Sequence, residues 1–186
     1  MQWLVAALGV GLGFGLQEIF ANLVSGIILL FERPIRVGDI VTIGDVTGTV
    51  CKIQMRATTL IDNDQKELIV PNKTFITSQL TNWTLSDATT RIVIPIGIAF
   101  GSDVQFAHEL ILKTVKETPL ILEEPEAFVV FVGFGDSTLN FSIRAFVSEP
   151  INRWRVIHDL NMQLERVLRE NKIEIPYPQR EVHVRY

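Results

Sequence analysis

The chain has 186 residues, which suits one or two small domains, each with a core of its own. Its formal net charge of −4 argues against a nucleic-acid-binding protein, because such proteins normally carry a basic face. The single cysteine, Cys51, excludes an internal disulfide framework. Its apolar strand context predicts a buried thiol rather than a reactive one.

The N-terminal segment, residues 1–32, has the charge pattern of a membrane segment. It contains no Lys or Arg, and Glu18 and Glu32 are its only acids. The first basic residues, Arg33 and Arg36, follow directly, which predicts that this edge faces the cytoplasm. A signal peptide is not indicated, because neither a basic start nor a small-residue cleavage site comes first.

The length of this segment predicts a bent helix. A straight helix over residues 3–31 would be roughly 43 Å long at about 1.5 Å per residue, against a hydrocarbon core of ~30 Å. A polar cluster of Gln17, Glu18 and Asn22 interrupts the apolar run near its middle, so we expect the bend there. The part after Gln17 is amphipathic and suited to a membrane interface or a soluble domain, and Gly26 is a second possible bend. The helix should end before Pro34.

Glycine occupies every second position in the first half of this helix, at Gly9, Gly11, Gly13 and Gly15. A dinucleotide-binding fingerprint is excluded by spacing, since its third glycine would fall on a phenylalanine or a leucine. On a helical wheel these glycines form two small-residue flanks, which allow helix backbones to approach closely in a membrane. One flank can meet the other flank of a neighbouring copy, a contact that closes into a ring.

The wheel also assigns a face to the centre of such a ring. Val10 and Phe14 lie on it with Gln17, and an apolar constriction of this kind gates an aqueous pore by dewetting. Leu8, Leu12 and Leu16 gather on the opposite face. A buried helix hairpin in a soluble or simple membrane domain is the alternative.

The remainder predicts two soluble domains. Residues 36–71 contain short strands with frequent turns, which favour a small β-barrel or sandwich. Six basic and six acidic residues balance over 33–88, so we prefer a scaffold to an RNA-binding role. From residue 89 the order strand, helix, strand, strand, helix predicts an α+β sandwich. Its first helix has Ser102 as the predicted N-cap.

The last predicted helix, in "PINRWRVIHDLNMQLERVLREN", has an apolar face at helical spacing: Trp154, Ile157, Leu160, Leu164, Val167 and Leu168. A proline-broken link and a short terminal strand should follow it.

Candidates for catalysis or metal binding are weak. His108, His158 and His183 lie far apart, without a nearby cysteine or acid cluster at metal spacing. Asp62 and Asp64, with Glu67, surround a predicted hairpin turn, where acids are favoured for backbone reasons. Glu123, Glu124 and Glu126 fit a solvated loop. We therefore expect no enzyme, cofactor or metal.

The stretch "GLGFGLQEIFANLVSGIILLFERPIRVGDIVTIGDVTGTV", followed by "RATTL", "VPN" and "NWT", resembles the small-conductance mechanosensitive channel (MscS) family. The form "GFGLQEIF…LFERP" is most similar to its large multi-pass, potassium-dependent MscK-type members. The resemblance covers essentially the whole chain, with its motifs in order.

The resemblance implies a membrane channel subunit with one bent pore-lining helix, a small all-β domain of the Sm/SH3-like kind and a ferredoxin-like α+β domain. Residues 1–34 would be the pore-lining and interfacial helix, with Val10 and Phe14 at the constriction. Residues 35–88 would be the middle β-domain and 89–180 the α/β domain. Residues 181–186 would add a strand to an oligomeric β-barrel.

The family further implies a homoheptamer in the bacterial inner membrane, with residues 33–186 forming a cytoplasmic vestibule. Membrane lipids would transmit tension, and ions and small osmolytes would leave through the pore during hypo-osmotic shock. The best-known small members of the family have glycine at the position of Glu18, a site associated with bending on inactivation. By position the hinge would be Glu18, but with a glutamate there we expect the bend between Gly15 and Gln17 or at Gly26. Further transmembrane helices come first in the family, so we expect this chain to be a fragment or minimal member that is not tension-gated alone.

Two other classes remain open from the sequence. A soluble oligomeric scaffold or binding module would use the apolar N-terminus only as a docking helix and would stay assembled without residues 1–32. An enzyme would need a convergent polar pocket, which the sequence does not indicate.

Overall fold

The computed structural model describes residues 2–180, 182 and 183, without the side chains of residues 2, 4 and 5. The chain divides into two compact units at the boundary between Asp87 and Ala88. The first unit holds a long helix and a five-stranded sheet, and the second holds a three-stranded sheet with two helices.

The apolar N-terminal segment forms one uninterrupted helix, α1, over Gln2–Glu32. The helix continues through both expected bending positions, Glu18 and Gly26. Arg33 ends it with a positive φ of 52°, and the Arg33 N–H donates to the Leu29 carbonyl at 3.1 Å. As expected, the chain leaves the helix before Pro34, which disfavours a helical conformation at the residue that precedes it.

The sheet of the first unit is antiparallel throughout, with the order β4-β3-β2-β1-β5. Its elements are β1 (Ile40–Ile43), β2 (Val46–Ile53), β3 (Ala57–Asp62), β4 (Glu67–Pro71), a short helix α2 (Asn72–Thr77) and β5 (Leu80–Asn82). The apolar core of this unit comprises Leu29, Ile35, Val41, Ile43, Val50, Leu60 and Phe75. Since Leu29 belongs to α1, the end of that helix is part of this core.

The second unit has the predicted order of strands and helices. Its elements are β6 (Thr90–Ile98), α3 (Val104–Glu117), β7 (Phe128–Phe134), β8 (Leu139–Val147) and α4 (Arg153–Glu170), which follows a 3-10 turn. The antiparallel sheet has the order β6-β8-β7. Every second residue of β8 is buried, and the core combines this face with apolar residues of α3 and α4. A two-residue period on the strands and a helical period on the helices therefore meet in one core.

Four local predictions are wrong. Cys51 is exposed, because Gly48 and Val50 hold the buried positions of β2 and alternation places Cys51 on the opposite, exposed side. Trp154 is 69% exposed, and Val156 is buried instead.

The N-cap of α3 is Asp103 rather than Ser102, since a carboxylate oxygen of Asp103 accepts from the Phe106 N–H at 3.0 Å. The predicted polar connector "TNWTLSDATT" begins inside β5.

The predicted terminal strand falls largely outside the described residues, which omit 181 and 184–186. Residues 173–180 have no regular secondary structure. The Ala99 N–H donates to the Glu174 carbonyl at 2.8 Å, which ties this segment to the end of β6.

Candidate pore helix and its junction with the β-sheet

The first two-thirds of α1 present apolar side chains that nothing in the described chain covers. The exposed large side chains of this part are Trp3, Leu8, Val10, Leu12, Phe14, Ile19 and Phe20. By length and composition, residues 6–32 form a helix able to cross a membrane. A continuous apolar surface of this size marks contact with a membrane or with other polypeptide.

The predicted constriction residues share one face of this helix. Val10 and Phe14 are four positions apart, hence one helical turn, and their side chains are 59% and 73% exposed. Gln17, three positions further, is also exposed and gives the same face a polar end. In the single chain these side chains form a free stripe, so an assembly of several chains would be needed to close a constriction.

No contact within the described chain requires glycine at the four alternate positions. Among the described residues, and apart from the neighbouring turns of the same helix, an added Cβ at Gly9, Gly11, Gly13 or Gly15 would meet no atom within 4 Å. A glycine in a helix interior is destabilising by about 1 kcal/mol relative to alanine. Four such positions therefore favour a contact outside this chain, where another backbone approaches closely.

The predicted hinge residue Glu18 contacts the sheet-bearing part of the unit. Its carboxylate Oε1 accepts from Lys73 Nζ at 2.8 Å in an exposed ion pair. One turn further, Asn22 Oδ1 accepts from the backbone N–H of Lys73 at 3.0 Å, and Asn22 Nδ2 donates to the Glu18 carbonyl at 2.8 Å. Lys73 of α2 therefore binds two successive turns of α1, a role that the sequence reasoning missed.

Beyond Asn22 one face of the helix becomes buried, while Val24, Ile27 and Leu30 stay exposed. Ser25, Gly26 and Leu29 are buried, and Leu29 is 0% exposed within the first core. An added Cβ at Gly26 would lie 2.2 Å from the Met55 carbonyl oxygen and 2.6 Å from Asn72 Nδ2. This glycine thus differs from the four others, because a contact inside the chain requires it.

The other polar candidates hold local structure. Asp62 Oδ1 accepts from the N–H groups of Asp64 and Lys66 at 2.9 and 2.8 Å, and so fixes the β3–β4 turn. His108 Nε2 lies 3.0 Å from the Val129 carbonyl oxygen. Within the described residues, no group of three His, Cys, Asp or Glu side chains is placed to hold a metal ion.

One exposed carboxyl of the second unit is electrostatically perturbed. Lys116 Nζ lies 2.7 Å from Glu126 Oε1, and this hydrogen bond with its positive charge lowers the pKa of Glu126. The pair joins the end of α3 to the loop before β7, away from any candidate site.

Comparison with known protein families defines a class, the subunits of mechanosensitive ion channels. Residues 18–85 match the family model of the mechanosensitive ion channel β-domain, and residues 92–175 match that of the MscS C-terminal region. Together the two models cover most of the chain. The chain belongs to the MscS family of mechanosensitive ion channels.

Individual relatives agree with this assignment. The mechanosensitive channel MscK of Escherichia coli is 53% identical over 184 residues, which are 99% of this chain and 16% of that protein. The miniconductance channel MscM of the same organism is 46% identical, over 96% of the chain and 16% of that protein. The chain thus spans about a sixth of the length of these relatives.

A solved structure shows the same fold. The closed-state structure of Helicobacter pylori MscS superposes with a TM-score of 0.92 at 25% identity, over 98% of this chain and 72% of that chain. The predicted fold class, a single N-terminal helix followed by an all-β and an α+β domain, is confirmed by this match and by the two family models.

Proposed function

We propose that the chain forms the pore and the cytoplasmic vestibule of a mechanosensitive channel, which releases ions and small osmolytes when tension rises during hypo-osmotic shock. The observation that carries this proposal is the uncovered apolar part of α1, continuous with a helix end built into a soluble core. The relatives named as mechanosensitive channels support a channel over a soluble scaffold and over an enzyme.

In this proposal seven copies form a ring in the bacterial inner membrane, with residues 33–186 in the cytoplasm. The flank of Gly11 and Gly15 on one copy packs against the flank of Gly9 and Gly13 on the next. The four open Cβ positions support this packing, since a second backbone can approach there without a clash. The contact is heterologous, so a rotation that closes produces a ring.

The same ring turns one face of each helix toward its axis. Val10 and Phe14 would then form the constriction, which stays dry and non-conducting while it is narrow. Gln17 would line the cytoplasmic end of the pore. Tension carried by membrane lipids would widen the ring and allow water and ions to enter, with Glu18 as the position of bending.

Consecutive parts of the chain have different roles in this proposal. Residues 1–34 would form the pore and interfacial helix, 35–88 the middle β-domain and 89–180 the α/β domain of the vestibule. Residues 181–186 would close a small barrel with the other copies. Conduction of this kind needs no cofactor.

Phe14→Ser tests the assignment of the constriction. With the chain reconstituted in liposomes, this variant should raise ion efflux at zero applied tension, because a hydroxyl hydrates the narrow section. Leu12→Ser is the matched control: it places the same polar side chain on the opposite face and should leave resting efflux unchanged. Equal efflux from the two variants would contradict the pore-facing assignment of Phe14.

A further inference from the structure

The contact at Gly26 leaves no room for a side chain. Its hypothetical Cβ would meet backbone atoms of Met55, the oxygen at 2.2 Å and the carbonyl carbon at 3.0 Å. Met55 lies in the short connection between β2 and β3, where the Gln54 N–H donates to the Ala57 carbonyl at 3.0 Å. Because backbone held by its own hydrogen bond cannot move aside like the tip of a flexible side chain, α1 itself would have to shift.

The second surface under Gly26 is equally fixed. Asn72 is 0% exposed, and its amide Nδ2 donates to the Gln54 carbonyl at 2.8 Å. Its Oδ1 accepts from the Thr58 hydroxyl at 2.9 Å, and its backbone N–H donates to the Arg56 carbonyl at 3.0 Å. A buried side chain with these partners stays in place, since moving it would leave buried polar groups unsatisfied.

The flanking contacts extend this attachment in both directions. Toward the C-terminus, Leu29 is fully buried in the core of the first unit. Toward the N-terminus, the Lys73 contacts reach Asn22 and end at the exposed carboxylate of Glu18. The attachment is therefore exposed and ionic at Glu18, part-buried at Asn22 and buried at Ser25, Gly26 and Leu29.

We propose that Gly26 is not a hinge. Its lack of a side chain allows α1 to pack directly against the Met55 carbonyl and the Asn72 amide, and we call it a contact glycine for this reason. Residues 22–32 are then a fixed part of the first unit, and any bend of the helix falls before Asn22. The effect of this packing contact on gating rests on the proposed channel function. The contact itself does not rest on it, because it lies within a single chain.

Gly26→Ala distinguishes a contact glycine from a hinge, because the two roles predict opposite effects on stability. Alanine at a hinge glycine gives a stiffer and more stable helix, whereas alanine at a contact glycine displaces the helix from the backbone against which it packs. Hydrogen exchange of the full chain in detergent, read on amides 22–32 and 54–58, should therefore become roughly tenfold faster or more. Unchanged or slower exchange would overturn the proposal.

Val24→Ala is the control, because it shortens a side chain that is 53% exposed in the same part of the helix. It should leave exchange of amides 22–32 unchanged.

Asn72→Ala provides a second test that adds no bulk to α1. It should accelerate exchange in the same two segments, and normal exchange would contradict a supporting role for Asn72. If Gly26→Ala does not fold while Val24→Ala does, the supporting contact at Gly26 is likewise confirmed. Since exchange needs no conduction, absence of resting efflux from the Phe14→Ser variant in liposomes would contradict the proposed function and leave the contact at Gly26 unaffected.

Discussion

Leu29→Ala should destabilise the first unit much more than Leu30→Ala, because only Leu29 belongs to the core of this unit. The Leu29 side chain is 0% exposed in the core of the first unit, whereas the next residue, Leu30, is 53% exposed. Truncating a fully buried leucine costs about 2–5 kcal/mol, the lost transfer energy plus the cavity left behind. Leu30→Ala should cost well under that, at most about 1 kcal/mol, because half of its side chain already lies outside the protein.

The assay is hydrogen exchange of buried strand amides in the first core, at Val41 and Leu60. A loss of about 2–5 kcal/mol accelerates exchange through opening of this unit by roughly 30-fold to several thousand-fold, at tenfold per 1.4 kcal/mol. Leu30→Ala should change it less than tenfold. Equal acceleration by Leu29→Ala and Leu30→Ala would refute the conclusion that the helix end belongs to this core.

Two further predictions concern the second unit. Asp103→Ala should lower its free energy of unfolding by about 1 kcal/mol because the α3 N-cap is lost, while Ser102→Ala should leave urea unfolding unchanged; the reverse ranking would contradict the assigned cap. Lys116→Met should raise the pKa of Glu126 toward its ordinary value, measured by NMR titration. Since the folded pKa is the lower one, the pair stabilises the fold above the unfolded pKa of the carboxyl, and this contribution is lost as pH falls through the folded pKa. A Glu126 pKa that is the same with and without Lys116 would exclude this cause.

The order of elements in the second unit could be predicted from periodicity, because each element places its apolar side chains by its own local geometry. Buried and exposed residues alternate along β8, and Leu160, Leu164 and Leu168 are buried at helical spacing on α4. Trp154 fits the same spacing but lies 69% exposed at the first turn of the helix. Val156 in the same turn is fully buried, so the buried face is centred on Val156, Leu160, Leu164 and Leu168 and not on the side that carries Trp154.

Local chemistry also left some choices undecided. Ser102 and Asp103 are both good capping residues in adjacent positions, and only the backbone path selects Asp103. Cys51 was predicted to be buried from its apolar strand context, but it lies on the exposed side of β2, since Gly48 and Val50 hold the buried positions.

The candidate site could also be predicted only in part from the sequence. The stripe of Val10, Phe14 and Gln17 follows from helical geometry alone, so the sequence was sufficient to predict that these residues share a face. Their position in a pore stays a prediction. The junction was not predictable, because Gly26 and Asn72 are 46 positions apart in the sequence and meet only through the folded sheet.

The central claim, that copies of this chain assemble through α1 into a ring, is tested most directly by the mass of the detergent-purified chain in light scattering coupled to gel filtration. The account predicts about 147 kDa, seven times the 21.0 kDa of one chain. A mass of 21.0 kDa, a single chain, would contradict it.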